Sequence, residues 1–181
     1  MVSAGLAIAT GSDPARVFDA LSRLQPVRGR LERAAISRAG TPIYVDYAHT
    51  PDALTAAIAA LRPHCAGRLI VVFGAGGDRD QGKRPEMGRV VAAQADLGLV
   101  TDDNPRSEDP AAIRAQILKA APNATEIGDR AQAIREAVAM LKAGDALMIA
   151  GKGHETGQII KGVTHPFSDQ DVAKAALESQ L

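Results

Sequence analysis

Leu69-Ile-Val-Val-Phe-Gly-Ala-Gly-Gly-Asp-Arg-Asp-Gln-Gly-Lys-Arg-Pro-Glu-Met-Gly88 is the stretch on which the fold turns. Five apolar residues in a row, three of them β-branched, read as a strand buried on both faces. Gly74, Gly76 and Gly77 end it in a turn, and Asp78 to Arg84 crowd five charges into seven positions. Pro85 suits the first turn of a following helix. A buried strand opening through glycines into a helix is where open α/β sheets bind ligands. The charges are therefore expected at the carboxyl edge of a sheet.

Outward from this unit the pattern repeats. Ile43–Asp46 reads as a strand and Pro51 to about Leu61 as a helix capped by Thr50; a helix from Pro85 to about Ala95 follows the central strand. Asp96–Thr101 is a strand, Asp102–Pro110 a loop leading to a helix that ends near Ala120, and Thr125–Ile127 a short strand. Asp129 caps a helix to about Lys142, and Asp145–Ala150 is a further strand. Gln158–Lys161 and Val163–Phe167 flank Gly162 as a hairpin, before a terminal helix capped by Ser168 or Asp169. This alternation predicts an α/β fold: a mainly parallel sheet with helices on both faces and a C-terminal β-hairpin.

Residues 1–38 read differently. Met1–Thr10 resembles the tail of a helix broken at Gly11, and a second helix runs from Pro14 to about Leu24. Leu31–Ser37 is a short strand. The piece is apolar on one face and too small to bury that face alone, so it is expected to be the stump of a preceding domain. Residues 39–181 form the main domain.

The chain has 181 residues, 46% of them hydrophobic and 3% aromatic with no Trp, which supports a core of Ala, Val, Leu and Ile. Twenty-one basic residues balance 21 acidic ones, so no global field favours nucleic acid or an anionic membrane. One cysteine, Cys65, fits a reducing compartment, and Met1–Ala9 lacks a basic leader and the length of a span. A cytoplasmic setting is expected. His49, His64, His154 and His165 show no ligand spacing, so no metal site is expected.

Four polar clusters follow four candidate strand ends: Asp46-Tyr-Ala-His49, Gly76-Gly-Asp-Arg79, Asp102-Asp-Asn-Pro-Arg106 and Gly151-Lys-Gly-His-Glu155. In a parallel sheet they share one edge. Each has an ordinary alternative: a strand-to-helix turn, a surface partner of Asp78 or Asp80 for Arg79, an Asx-turn, and a loop with Lys152 and His154 solvated. His49 as a cap and Arg30 as a linker charge are equally plain readings. Arg79 stands where a dinucleotide fingerprint needs glycine, and no triphosphate loop is present. Arg106 offers a planar fork that matches a carboxylate; with Asp102, Asp103 and Asn104 beside it, both signs face one zwitterionic ligand.

Together the four motifs, with Lys83-Arg-Pro85 and Pro26-Val-Arg-Gly-Arg30, resemble the Mur ligases over essentially the whole chain. The resemblance implies that residues 1–38 are the tail of a central ATPase domain and its linker. The rest is then the C-terminal, Rossmann-like, amino-acid-binding domain. It implies an ATP- and Mg2+-dependent amide ligase of peptidoglycan precursor synthesis. ATP activates the D-glutamate carboxylate of UDP-MurNAc-L-Ala-D-Glu as an acyl phosphate, which the incoming amine attacks. The Asp-Asn-Pro-Arg form resembles members that add meso-2,6-diaminopimelate. By resemblance Arg79, Asp103, Asn104, Pro105, Arg106, Gly151 and Glu155 bind that amino acid, while Arg30, Asp46 and His49 approach ATP. The main Mg2+ ligands, the phosphate loop and the UDP-binding region match nothing here, so the piece is expected to be inactive alone. The rival readings are a stand-alone zwitterion- or phosphate-binding α/β module and an ordinary dinucleotide or nucleotide-sugar enzyme.

Overall fold

A computed structural model describes residues 2–24 and 26–179; Met1, Gln25, Gln180 and Leu181, two of which bound the expected segments, lie outside the described residues. Helices α1 (Val2–Ala9) and α2 (Pro14–Leu21) lead to strands β1 (Glu32–Ile36) and β2 (Pro42–Asp46). Then come α3 (Pro51–Leu61), β3 (Leu69–Phe73), α4 (Lys83–Gln94), β4 (Leu97–Val100), α5 (Pro110–Leu118) and β5 (Thr125–Glu126). The chain closes with α6 (Arg130–Ala139), β6 (Ala146–Ala150), the hairpin β7 (Gly157–Ile160) and β8 (Val163–Pro166), and α7 (Asp169–Glu178).

The two strands that are apolar throughout, β3 and β6, lie side by side in the middle of a six-stranded sheet of order β1-β2-β6-β3-β4-β5. All pairings are parallel except β1 with β2 at one edge. Alternate residues of the central strands feed two cores. Leu69, Val71, Phe73 and Met148 meet Leu54, Ile58, Met87, Val91, Ile113 and Ile117 from α3, α4 and α5. Ile70, Val72, Leu147 and Ile149 meet Ile134, Val138, Ala173 and Ala176 from α6 and α7 on the other face. Burial on both faces is why these strands read as unbroken apolar runs.

Local chemistry sets the helix starts. Thr50, Asp109, Asp129 and Ser168 accept hydrogen bonds from the amides of Ala53, Ala111, Gln132 and Asp171, each cap worth about 1 kcal/mol. Two expectations shift. α4 opens at Lys83, two residues before Pro85, because Gln81 already accepts from the Arg84 amide. The strand β1 pairs with β2, so residues 32–36 join the sheet. The chain runs outward through β3, β4 and β5, then returns to insert β6 between β2 and β3. That reversal opens a crevice at the carboxyl ends of the strands.

At the opposite end Asp145 ties β6 to β3. It accepts from the Arg68 amide (2.8 Å), Arg68 Nη2 (2.6 Å) and the Lys142 amide (3.0 Å), and Arg68 beside it holds its carboxyl down to about 2. A depressed folded-state value gives stability that is complete above the unfolded value and lost as pH falls through the folded one. The shift from 3.8 to about 2 corresponds to roughly 2 kcal/mol. In urea unfolding, the stability gap between wild type and Asp145→Asn is expected to narrow by about this amount between pH 6 and pH 2. A gap independent of pH would contradict the assignment.

Candidate functional site

The turn after β3 lies flush against the turn after β4. A Cβ on Gly77 would fall 1.9 Å from the Pro105 carbonyl oxygen, and one on Gly76 would fall 2.8 Å from Arg106 Nη1. Gly77 must be glycine because the Pro105 backbone approaches so closely, whereas a Cβ on Gly76 would push only on the end of the Arg106 side chain. Arg84, fully buried, stitches the two turns together. It forks onto both Glu108 oxygens (2.8 and 2.9 Å) and also reaches the Gly76 carbonyl (3.2 Å) and Gln116 Oε1 (3.0 Å). Glu108 in turn accepts from the Asp78 amide at 2.6 Å. Hydrogen bonds from Arg84, then from that amide, hold the Glu108 carboxyl below its usual range.

After β4, Asp103, Asn104 and Pro105 are buried. Arg106 adopts a left-handed φ of 53° and forms a bridge to Ile160. Its amide donates to the Ile159 carbonyl (3.0 Å), and its own carbonyl accepts from the Lys161 amide (2.6 Å). The hairpin therefore fixes the Arg106 main chain. Nη1 of Arg106 donates to the Gly77 carbonyl at 2.8 Å, while Nε and Nη2 have no partner among the described residues. Arg79, exposed, donates only to the Asp78 carbonyl (2.9 Å). Neither guanidinium pairs with a carboxylate of the described residues. Asp102 turns away from the cleft to pair with Arg114, so one of the two acids expected beside Arg106 is engaged elsewhere.

Gly151 follows β6 with φ 120°, facing the Asp103 carboxylate. Lys152 is fully buried, which overturns the solvated reading of that loop for Lys152; His154 is exposed. Lys152 Nζ donates to Asn104 Oδ1 (2.9 Å) and the Gly157 carbonyl (2.8 Å), and lies 3.5 Å from Asp103 Oδ1 and 3.6 Å from Glu155 Oε2. Burial pushes its ammonium down, against the attraction of Asp103 and Glu155. Asn104 Oδ1 also accepts from the Ile159 amide (2.9 Å), so its Nδ2 points to Glu155 Oε2 (2.9 Å). Two acceptors are left over. Glu155 Oε1 has no partner among the described residues, and the buried Asp103 Oδ1 receives no hydrogen bond. An acceptor buried without a donor is costly unless a ligand supplies one.

At the β2 rim, Tyr47 stacks edge-on to His49 (4.5 Å) and beneath the Arg30 guanidinium (4.6 Å). Asp46 accepts from the Leu31 and Ala48 amides at 2.7 and 2.8 Å, so it holds the Arg30 segment in place. Arg30 is exposed and has no carboxylate partner among the described residues, which suits an anionic phosphate. Lys83 donates to the His49 carbonyl at 2.9 Å.

These elements enclose a cleft of about 190 Å³ lined by Arg79, Lys83, Asp103, Asn104, Arg106, Glu155 and, at its rims, Tyr47, His49, Gly76 and Gly151. It continues, past Asn104, Arg106 and Glu155, into a wider hollow of about 360 Å³ against the hairpin. A separate hollow of about 170 Å³ at the far end of β4 has one carboxylate, Asp96, already bonded to Arg62 and the Leu69 amide, and so offers no convergent chemistry. The cleft brings together Arg79, Asp103, Asn104, Arg106, Gly151, Glu155 and His49. Pro105 lies buried behind it, and Arg30 and Asp46 stand beyond Tyr47. Sequence reasoning missed Lys83, Lys152 and Tyr47 as parts of the site. Lys83 belonged to a charged run that had a reading only as a whole, and Lys152 sat between glycines that suggested solvent.

Residues 29–153 match the family model described as Mur ligase, glutamate ligase domain. The UDP-N-acetylmuramoyl-L-alanyl-D-glutamate–2,6-diaminopimelate ligase of Caulobacter vibrioides is 61% identical over 178 residues, covering 98% of this chain and 37% of that protein. A solved structure of a ligase with that name is 39% identical with a TM-score of 0.79, covering 98% of this chain and 37% of that one. A UDP-N-acetylmuramate–alanine ligase from Thermotoga maritima shares the fold at 17% identity, with a TM-score of 0.66 over 97% of this chain and 35% of that one. The chain thus spans little more than a third of the length of the curated relatives it matches.

Proposed function

The chain belongs to the Mur ligase family, and on that premise we propose that it is the amino-acid-binding C-terminal part of an ATP-dependent ligase. That ligase joins meso-2,6-diaminopimelate to UDP-MurNAc-L-Ala-D-Glu in peptidoglycan precursor synthesis. The observation that carries the reading is the pairing of opposites in one cleft. Arg79 and Arg106 are without a carboxylate partner among the described residues, and they share the cleft with the Asp103 carboxylate and the unpaired Oε1 of Glu155. Diaminopimelate presents an ammonium and a carboxylate at the end remote from the reaction; L-lysine presents only the ammonium. The free edge of Arg106 clamps that distal carboxylate bidentately, and Asp103 and Glu155 take the ammonium. Gly151, without a side chain, lets the ligand close on the main chain, and Asn104 with Lys152 holds Glu155 in register.

Catalysis on this reading is delivery. The cleft fixes one end of the amino acid so that its other amine meets the activated carbonyl of the acceptor. Nitrogen bonds to that carbon, phosphate departs, and the amine gives up a proton. When bound, ATP supplies the phosphoryl group that activates the acceptor carboxylate. Arg30 is the residue here suited to its phosphates, with Asp46 and His49 shaping the segment beside it. The Mg2+ ligands and the acceptor site belong to regions of the ligase other than this chain. Residues 1–38 then make up the tail of the ATP-binding domain and its linker, and 39–181 the amino-acid domain, with β1 crossing over to the sheet. Among the described residues no helix is long and apolar enough to cross a membrane, and a cytoplasmic location suits nucleotide-linked substrates.

Calorimetric titration tests this. Meso-diaminopimelate is expected to bind this chain about 100-fold more tightly than L-lysine, the loss expected when a bidentate, charge-assisted pair is not made. Equal affinities would end the diaminopimelate reading.

A further inference from the structure

Three features make Lys83 an expensive residue. It is the first residue of α4, where the helix dipole disfavours a cation, and the fully buried Arg84 follows it. It is half-buried, and burial, reinforced by Arg84 and Arg106, pushes its ammonium down against the weaker pull of Asp103 and Asp80. Its one hydrogen bond goes to a neutral acceptor, the His49 carbonyl at 2.9 Å, and no carboxylate of the described residues pairs with it. A cation held under these conditions costs stability unless something anionic arrives.

Its placement says what arrives. Lys83 lines the same cleft as Arg106 but its ammonium is tied to the β2 rim, beside Tyr47 and His49, whereas the hairpin pins the Arg106 main chain and its guanidinium rests on the Gly77 carbonyl of the turn after β3. Two cations therefore stand in one cleft on separate anchors, Lys83 on the His49 carbonyl and the Arg106 guanidinium on the Gly77 carbonyl, with Asp103 and Glu155 as its acidic groups. Resting on the reading of the cleft above, we propose that Lys83 is a specificity-determining residue that binds the carboxylate next to the reacting amine of the incoming amino acid. Arg106 reads the distal carboxylate; Lys83 reads the near one, with Arg79 reaching over from the exposed side. The His49 carbonyl fixes one ammonium proton and leaves two for the ligand. An anionic oxygen at this place has one other source, a phosphoryl group, and the ligands below separate the two.

Removing one carboxylate at a time from meso-diaminopimelate gives two simpler amino acids. L-Lysine lacks the distal carboxylate and D-lysine lacks the near one. Calorimetric titration of wild type, Lys83→Met and Lys83→Arg with all three ligands forms the test. In Lys83→Met the preference for diaminopimelate over D-lysine is expected to fall about tenfold, the scale of one hydrogen bond to a charged group. The preference over L-lysine is expected to stay the same, and Lys83→Arg to keep most of both. Thermal unfolding of each variant confirms that the compared proteins are folded, and Lys83→Gln replaces Lys83→Met if the latter melts early. An unchanged preference over D-lysine in the folded variant overturns the assignment and leaves the anion to a phosphoryl group. A wild-type chain that fails to prefer diaminopimelate over L-lysine overturns the reading beneath it instead.

Discussion

Asp169→Asn is expected to cost about 3–5 kcal/mol of unfolding free energy, the range for removing one partner from a buried ion pair. Arg130 and Asp169 are both fully buried and joined by two bonds, Nε to Oδ1 at 2.8 Å and Nη2 to Oδ2 at 2.7 Å. Nη1 of Arg130 is buried with no partner, so the guanidinium depends on that carboxylate. Without the anion, a charge remains inside with only the Ala150 carbonyl, 3.0 Å away, to receive it. Replacing both residues, as Arg130→Met with Asp169→Leu, removes the charge as well as its partner and is expected to recover most of the loss. Urea unfolding followed by circular dichroism decides; a single-variant loss below about 1 kcal/mol would mean that water or a neighbour compensates.

Arg106→Ala carries the largest expected effect on binding. Affinity for meso-diaminopimelate is expected to drop about 100-fold, because a bidentate clamp on the distal carboxylate disappears. Affinity for L-lysine, which has nothing for the clamp to hold, is expected to change little. The folded state loses the bond from Nη1 to the Gly77 carbonyl, worth about 1 kcal/mol, so the variant remains folded. Arg106→Lys restores charge without the fork and is expected to recover only part of the affinity. Titration with both amino acids is the measurement. Parallel losses for the two ligands would assign Arg106 to shaping the turn rather than to reading a carboxylate.

How far the sequence can be read depends on how local the cause is. The bounds of β3 and α3 coincide with those expected, because five apolar residues and a Thr-Pro cap carry their own instructions. The helix α2 stops at Leu21, three residues short of the expected end, where the Ser22 amide turns back to Asp19 and Ala20. Convergence of Arg79, Arg106 and Glu155 was legible from the rule that parallel strand ends share one edge. The insertion of β6 between β2 and β3 was not, since no residue of β6 specifies its neighbour. Lys152 is the clearest miss. Its burial depends on Asn104, 48 residues away, and its surroundings of glycine pointed to solvent. Lys83 was legible as a charge within a motif, but its tie to His49 spans 34 residues. Pro105 was named with the binding residues as part of the Asp-Asn-Pro-Arg motif that carries the resemblance; it is buried and outside the cleft lining.

Gly29 and Gly153 meet backbone to backbone: a Cβ on Gly29 would fall 2.2 Å from the Gly153 carbonyl carbon, and one on Gly153 2.8 Å from the Gly29 oxygen. Gln170 clasps the joint, donating to the Gly153 carbonyl and to Glu32, which itself receives the Gly29 amide. The segment that carries Arg30 and the turn that carries Glu155 are thus one mechanical part. Neither can be displaced by an ångström without dragging the other, so the spacing between Arg30 and Glu155 is set by two missing methyl groups.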